Sequence, residues 1–327
     1  MCRLVEPGGR PEVPMPDKLL SRRSFLKSSA AGTAALSAPG WLRASADAPG
    51  AGVLDHLGVA LYTVREQMKA DVAGTLKAIA ELGYKYVESG LLPSLGAAVK
   101  AAGLKQASAY APTYLVTGNR QAWAGSGELL PEGYDWGQAV DEARARGLEY
   151  MVVVYLQRAE RGGLDVYRDL AGRLARAGEA CRKAGLGLAY HAHAFEYERI
   201  EGVRPIDVLL KETPKDLLGL ELDTFWASIA GVDPVKMVET HSGRVPLVHL
   251  KDKAKGTPVQ YDEAKVPKDA FKEIGRGEID YAAFLPAAVR AGVKYYYVEQ
   301  DYCAGSPLDS LRMSRQALAQ LVAGRRS

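Results

Sequence analysis

The sequence predicts an α/β fold, a single (β/α)8 TIM barrel with a long loop after its seventh strand. Three observations carry the prediction. From about residue 55 onward, short β-rich runs alternate with amphipathic helical stretches, giving eight strand–helix units in about 270 residues, the length of one closed barrel. Glycine stands just ahead of several strands, at Gly83, Gly103, Gly147, Gly185 and Gly292, where a left-handed residue closes the preceding helix. The first strand runs into Tyr62, Thr63, Val64 and Arg65, whereas the competing doubly wound sheet would place a glycine-rich phosphate loop there.

The elements follow in order. Leu57–Tyr62 reads as strand one, followed by a helix through Leu76–Ala80 that ends at Gly83. Tyr84–Glu88 is strand two, with a helix over Leu95–Ala102, and Leu104–Tyr110 is strand three. A longer loop, Ala111–Tyr134, leads to a helix ending near Gly147, and Tyr150–Tyr155 and a long helix to Ala184 form unit four. Leu186–His191 is strand five, and the helix after it holds Val208, Leu209 and Leu210. Leu218–Asp223 is strand six; its helix opens at Asp233-Pro234, where proline suits the first turn. Val245–Leu250 is strand seven, and a polar loop from Lys251 to Gly277 precedes the helix Tyr281–Ala291. Val293–Glu299 is strand eight, and Leu308–Val322 the last helix.

The N-terminus reads differently. Ser21, Arg22, Arg23, Ser24, Phe25, Leu26 and Lys27 form a twin-arginine export pattern, followed by a small and apolar run from Ser28 to Leu42 and an Ala44-Ser45-Ala46 cleavage box. Residues 1–46 are therefore expected to be a leader, 47–327 the catalytic domain, and the mature protein periplasmic or otherwise exported by the twin-arginine route. The apolar run is too short and too rich in small residues for stable membrane insertion. A formal charge of +3 with scattered basic residues gives no nucleic-acid face. Cys2, Cys181 and Cys303 form no metal-ribbon spacing, and Cys181 falls on the apolar side of a helical run, as an inert buried thiol would. The sequence leaves a homo-oligomer open.

Active-site groups of such a barrel sit at the C-terminal ends of its strands. Those ends carry Glu88, His191 with His193, Asp223, His249 and Glu299. Imidazoles and carboxylates converging on one mouth suit a divalent cation of the Mn²⁺, Co²⁺, Zn²⁺ or Fe²⁺ kind. His56 precedes strand one and His241 lies near a helix end, so both fall outside this set.

Leu57–Arg65, Tyr190–Glu196, Glu221–Trp226, His249–Asp252, Gly275-Arg276-Gly277 and Val298–Asp301 together resemble the sugar phosphate isomerase/epimerase family of xylose-isomerase-like barrels. The resemblance implies a metal held by the strand-five residue, Asp223, His249 and Glu299, and a sugar as substrate. Many members end strand five on a glutamate; here His191 aligns there, with His193 and Glu196 just beyond, so the identity of that ligand stays open. Deprotonation beside a carbonyl to an enediolate is the expected chemistry, with Glu299 as base, Lys251 against oxyanion charge, and Glu88 or His193 for the second proton. Reprotonation gives an isomer or epimer, while loss of a β-substituent from a 3-keto-glycoside or inosose would make the enzyme a lyase. Arg65, His193, Trp226 and Arg276 are expected to contact substrate, Arg276 from a lid. A multi-metal nuclease would be expected to hold more histidines. A non-catalytic sugar-binding protein would hold ring-stacking aromatics without the ligand set.

Overall fold

The computed structural model describes residues 52–91, 95–125 and 129–324. The expected leader lies outside them. The barrel strands are β1 (Leu57–Ala60), β2 (Tyr86–Gly90), β3 (Lys105–Ala111), β4 (Tyr150–Val153), β5 (Gly187–His191), β6 (Gly219–Asp223), β7 (Leu247–Leu250) and β10 (Tyr295–Val298). All pair in parallel in sequence order, and β10 closes against β1. The fold is the expected (β/α)8 barrel. The helices ahead of β5 and β10 end on Gly185 and Gly292, whose φ of 82° and 86° favours a residue without Cβ.

Several strands start or stop a residue or two inside the expected limits, because the ladder ends where the neighbouring strand ends. The β1–β2 register stops at Ala60 opposite Glu88; the chain then enters a tight turn, Leu61–Val64, which leaves Tyr62 exposed. Tyr84 is buried ahead of β2, where its hydroxyl donates to the Leu311 carbonyl instead of its backbone joining the sheet.

Alternation divides each strand between two cores. Outward residues such as Val59, Val87, Leu188, Leu220, Leu222 and Val248 pack under the helices, in the larger cluster. Inward residues, including Ala60, Ala107, Tyr150, Ala189, Leu247, Tyr295 and Tyr297, fill the barrel. Large faces small across this interior. A Cβ on Gly187 would lie 2.6 Å from the Tyr150 ring, and one on Gly58 2.7 Å from the Tyr297 ring, so these glycines make room for tyrosines.

The long loop after β7 carries its own structure. Asp252–Lys253 (β8) and Phe271–Lys272 (β9) form an antiparallel ribbon, and two short helical turns lie between them. The buried Asp252 carboxylate accepts from the backbone N–H groups of Gly275, Gly277 and Ile279 at 3.0–3.1 Å, nailing the glycine turn to the ribbon. Farther out, Asp262 pairs with Arg158 and Glu263 with Arg161 and Tyr155, tying the loop to the segment after β4.

Candidate active site

The barrel brings the strand-end groups together. Asp223 and His249 are register partners on β6 and β7, and Glu299 follows directly on β10. Asp223 caps the helix that follows it. Its Oδ1 accepts from the N–H groups of Phe225 and Trp226 at 2.8 and 2.9 Å, while Oδ2 has no hydrogen-bond partner although it is fully buried. That oxygen lies 3.8 Å from His191 Nε2 and 3.9 Å from His249 Nδ1, and His249 Nδ1 lies 2.8 Å from Glu299 Oε2. Donors bound to one ion at about 2.0–2.1 Å lie no more than about 4.2 Å apart, so these separations fit a shared cation. A buried carboxylate oxygen met only by the Lys251 ammonium, beside two imidazoles and a second carboxylate, is the donor chemistry of a borderline divalent metal.

Lys251, 2% exposed, runs into the same cluster. Its ammonium is 3.0 Å from Asp223 Oδ2, 2.6 Å from Glu299 Oε2 and 2.7 Å from Asp301 Oδ2. Burial opposes the charge, but Asp223, Asp301 and Glu299 outweigh it and hold Lys251 well above the usual lysine range. Burial likewise works against Glu299, yet Lys251 and His249 hold its carboxyl below the ordinary value. Asp223 is raised by burial, and Asp301 is pushed up to about 6, again chiefly by burial. The two imidazoles part company. Burial, with His249 and His193 nearby, drives His191 well below the ordinary value, whereas the Glu221 and Glu299 carboxylates override burial at His249 and raise it.

The other expected residues divide. His193 and Trp226 join the site: their rings are 5.2 Å apart, and the Lys251 ammonium lies 5.3 Å from the Trp226 ring. Burial, with Lys251, pushes His193 down to about 3, so it is a neutral imidazole near neutral pH. Arg65 bridges the rim, donating to the carbonyls of Tyr62 and Asp301. Glu88 lies under the cluster and accepts from His249 Nε2 at 2.6 Å and from the Ser108 hydroxyl. Arg276 is exposed on the glycine turn, and no described hydrogen bond or ion pair joins it to the cluster. His56 packs against Tyr86 edge-on and Tyr295 at a tilt, away from this set.

Two residues escaped the sequence reading. Glu221 stands two positions before Asp223, which puts both on the inward face of β6; its Oε2 is 2.9 Å from His191 Nδ1. An acidic residue inside an otherwise apolar strand was the available signal. Asp301 was visible only as part of a motif, and its partner Lys251 lies 50 residues away. Cys181 is buried against Met151, and burial pushes its thiol up to about 12, as for an inert core cysteine.

Comparison with known proteins agrees with this fold. The family model described as "Xylose isomerase-like TIM barrel" matches residues 76–320, and the twin-arginine translocation signal model matches residues 19–39. An inosose dehydratase of Geobacillus kaustophilus is 26% identical over 281 residues, covering 76% of this chain and 86% of that protein. A sugar phosphate isomerase/epimerase from Parabacteroides distasonis superposes with a TM-score of 0.64 at 22% identity, covering 85% of this chain and 97% of that one. The IOLI protein with a bound zinc atom superposes with a TM-score of 0.61 at 16% identity, covering 83% and 99%. The two structural likenesses are likenesses of fold. Among the described residues no helix is long and apolar enough to cross a membrane.

Proposed function

The chain belongs to the xylose isomerase-like TIM barrel family, and from that premise we propose that it is a metal-dependent sugar isomerase or epimerase, exported by the twin-arginine route to the periplasm. The observation that carries this reading is the convergence of Asp223, His249 and Glu299 from successive barrel strands, with His191 Nε2 3.8 Å from Asp223 Oδ2 beside them. Mn²⁺, Co²⁺, Zn²⁺ and Fe²⁺ all suit this mixed donor set. A bound cation supplies Lewis-acid polarisation of a substrate carbonyl.

The chain's own groups do the rest. Glu299 takes the proton from the carbon beside the carbonyl of a keto-sugar, because its carboxylate stays ionised against Lys251 and His249. The Lys251 ammonium offsets negative charge growing on the enediolate oxygen. Trp226 and neutral His193 form one wall for the sugar, and Arg65 fixes the backbone of Asp301 at the rim. Glu88 reaches the reacting atoms only through His249.

A second reading, β-elimination from an inosose or 3-keto-glycoside, has its own support. Glu299 and Asp301 flank one ammonium, placing two carboxyls with different proton affinities side by side, and the relative from Geobacillus kaustophilus is a dehydratase. Proton NMR in D₂O with Mn²⁺-loaded protein tests both. Deuterium entering beside the carbonyl with the skeleton intact supports isomerisation or epimerisation, and release of water or aglycone supports elimination. No exchange with keto-sugars, inososes or 3-keto-glycosides, in protein that holds metal, would overturn the proposal.

A further inference from the structure

We infer that Glu221, with Glu88, is a positioning residue that selects which nitrogen of each histidine faces the cation, and that Glu221 is not itself a ligand. The inference rests on the metal-site reading above. His191 points Nδ1 at Glu221 Oε2, 2.9 Å away, which leaves Nε2 toward Asp223. His249 is turned the other way round: Nε2 meets Glu88 Oε2 at 2.6 Å, and Nδ1 faces Glu299 and Asp223. The histidines therefore turn opposite nitrogens toward Asp223 Oδ2, at 3.8 and 3.9 Å, and each far nitrogen meets a buried carboxylate. A carboxylate on the far N–H fixes the ring's tautomer and orientation and raises the basicity of the free nitrogen. The two rings, 4.6 Å apart and inclined at 60°, are buried against each other and have little room to turn.

The competing assignment is a cation held lower, by Glu221 with both histidines, whose donor atoms also lie within 4.8 Å of one another. Depth argues against it. Glu221 sits two residues before Asp223 on a strand that runs toward the mouth, about 6–7 Å farther down at about 3.3 Å per residue. The lower group is 0–2% exposed and the histidines cover it, whereas the upper group includes Glu299, 7% exposed. A cation that polarises a substrate must keep a coordination position open to that substrate, which favours the group nearer the mouth.

Zn²⁺ alone, titrated into the chelator-treated full chain, tests the assignment together with ¹⁵N NMR of the histidines. In the parent protein His191 should coordinate through Nε2 and keep Nδ1–H, and His249 should show the reverse. Glu221→Met, which removes the acceptor, should weaken Zn²⁺ binding about 10–100-fold and blur the His191 nitrogen pattern. Glu221→Gln keeps an acceptor oxygen and should recover most of the affinity. A merely structural role would not produce that rescue or shift the nitrogen signals. Parent-like affinity and spectra in both variants would overturn the inference. So would coordination of His191 through Nδ1 with Zn²⁺ lost from both variants as fully as from Asp223→Asn, since Glu221 would then be a ligand. A parent protein that takes up no Zn²⁺, Mn²⁺ or Co²⁺ would instead sink the metal reading beneath it. Should Glu221→Met fail to fold, the Gln variant and the parent spectra still decide.

Discussion

Replacing Lys251 with methionine should expose the charge balance on which the site depends. The substitution keeps length and apolar stem but removes the ammonium that lies within 3.0 Å of Asp223, Glu299 and Asp301. Breaking a buried ion pair by removing one partner costs about 3–5 kcal/mol, because the remaining charge is left buried and uncompensated. At about 2–4 °C per kcal/mol for a domain of this size, Tm in excess chelator should fall by about 6–20 °C near pH 8. Two signatures separate this from a packing defect. Saturating Mn²⁺ should raise Tm more in the variant than in the parent, since the cation then meets carboxylates with no ammonium beside them. Acid should also narrow the gap. Without Lys251 the folded-state pKa of Asp223 and Asp301 rises further above the unfolded value and Glu299 loses the ammonium that holds it down, and the resulting destabilisation disappears as the unfolded chain also takes up protons toward pH 4. Circular-dichroism melts at pH 5 and pH 8, with chelator and with Mn²⁺, measure all of this. A variant melting within about 2 °C of the parent in chelator at pH 8 would refute the reasoning.

Other consequences can be checked separately. Asp223→Asn keeps the cap oxygen but replaces the Oδ2 carboxylate oxygen, so the protein should fold while bound metal and turnover both fall at least about 100-fold; Glu299→Gln should hold more metal than that and still lose proton exchange. Metal analysis beside D₂O exchange separates the two. Gly187→Ala forces a methyl against the Tyr150 ring and should cost about 1–3 kcal/mol in urea unfolding, with metal binding retained. Burial raises the Glu196 carboxyl to about 8 although Tyr190 and the His193 N–H donate to it. Its folded pKa thus exceeds the unfolded value of about 4.3, so its contribution to stability is full below that value and is lost as pH rises toward 8. Glu196→Gln should flatten that part of the stability–pH curve, and an unchanged slope would count against the assignment. Replacing Arg22 and Arg23 with lysines should leave full-length protein in the cytoplasm on fractionation, and undiminished periplasmic protein would contradict the export reading.

Much of this was legible because it is local. Strand and helix periodicities, the glycines that end helices and the twin-arginine leader are each written within a few adjacent residues, and a parallel barrel sends every strand end to one mouth. Asp223, His249 and Glu299, with His191 beside Asp223, could therefore be picked out from their positions alone. Glu221 was within reach of the same logic, since alternation puts it on the face of Asp223.

The partners were a different matter. That Glu88 would lie beneath His249, 161 residues away, depends on how the barrel closes and staggers its strands, which no local pattern encodes. The same holds for Lys251 with Asp301, and for the ion pairs that pin Asp262 and Glu263 to Arg158 and Arg161 across about a hundred residues. The sequence by itself determined the fold, the mouth and the kinds of donor atom there. Only the tertiary structure decided which nitrogen faces which carboxylate, because hydrogen-bond geometry at 2.6–2.9 Å is settled by packing between strands that are distant in the chain.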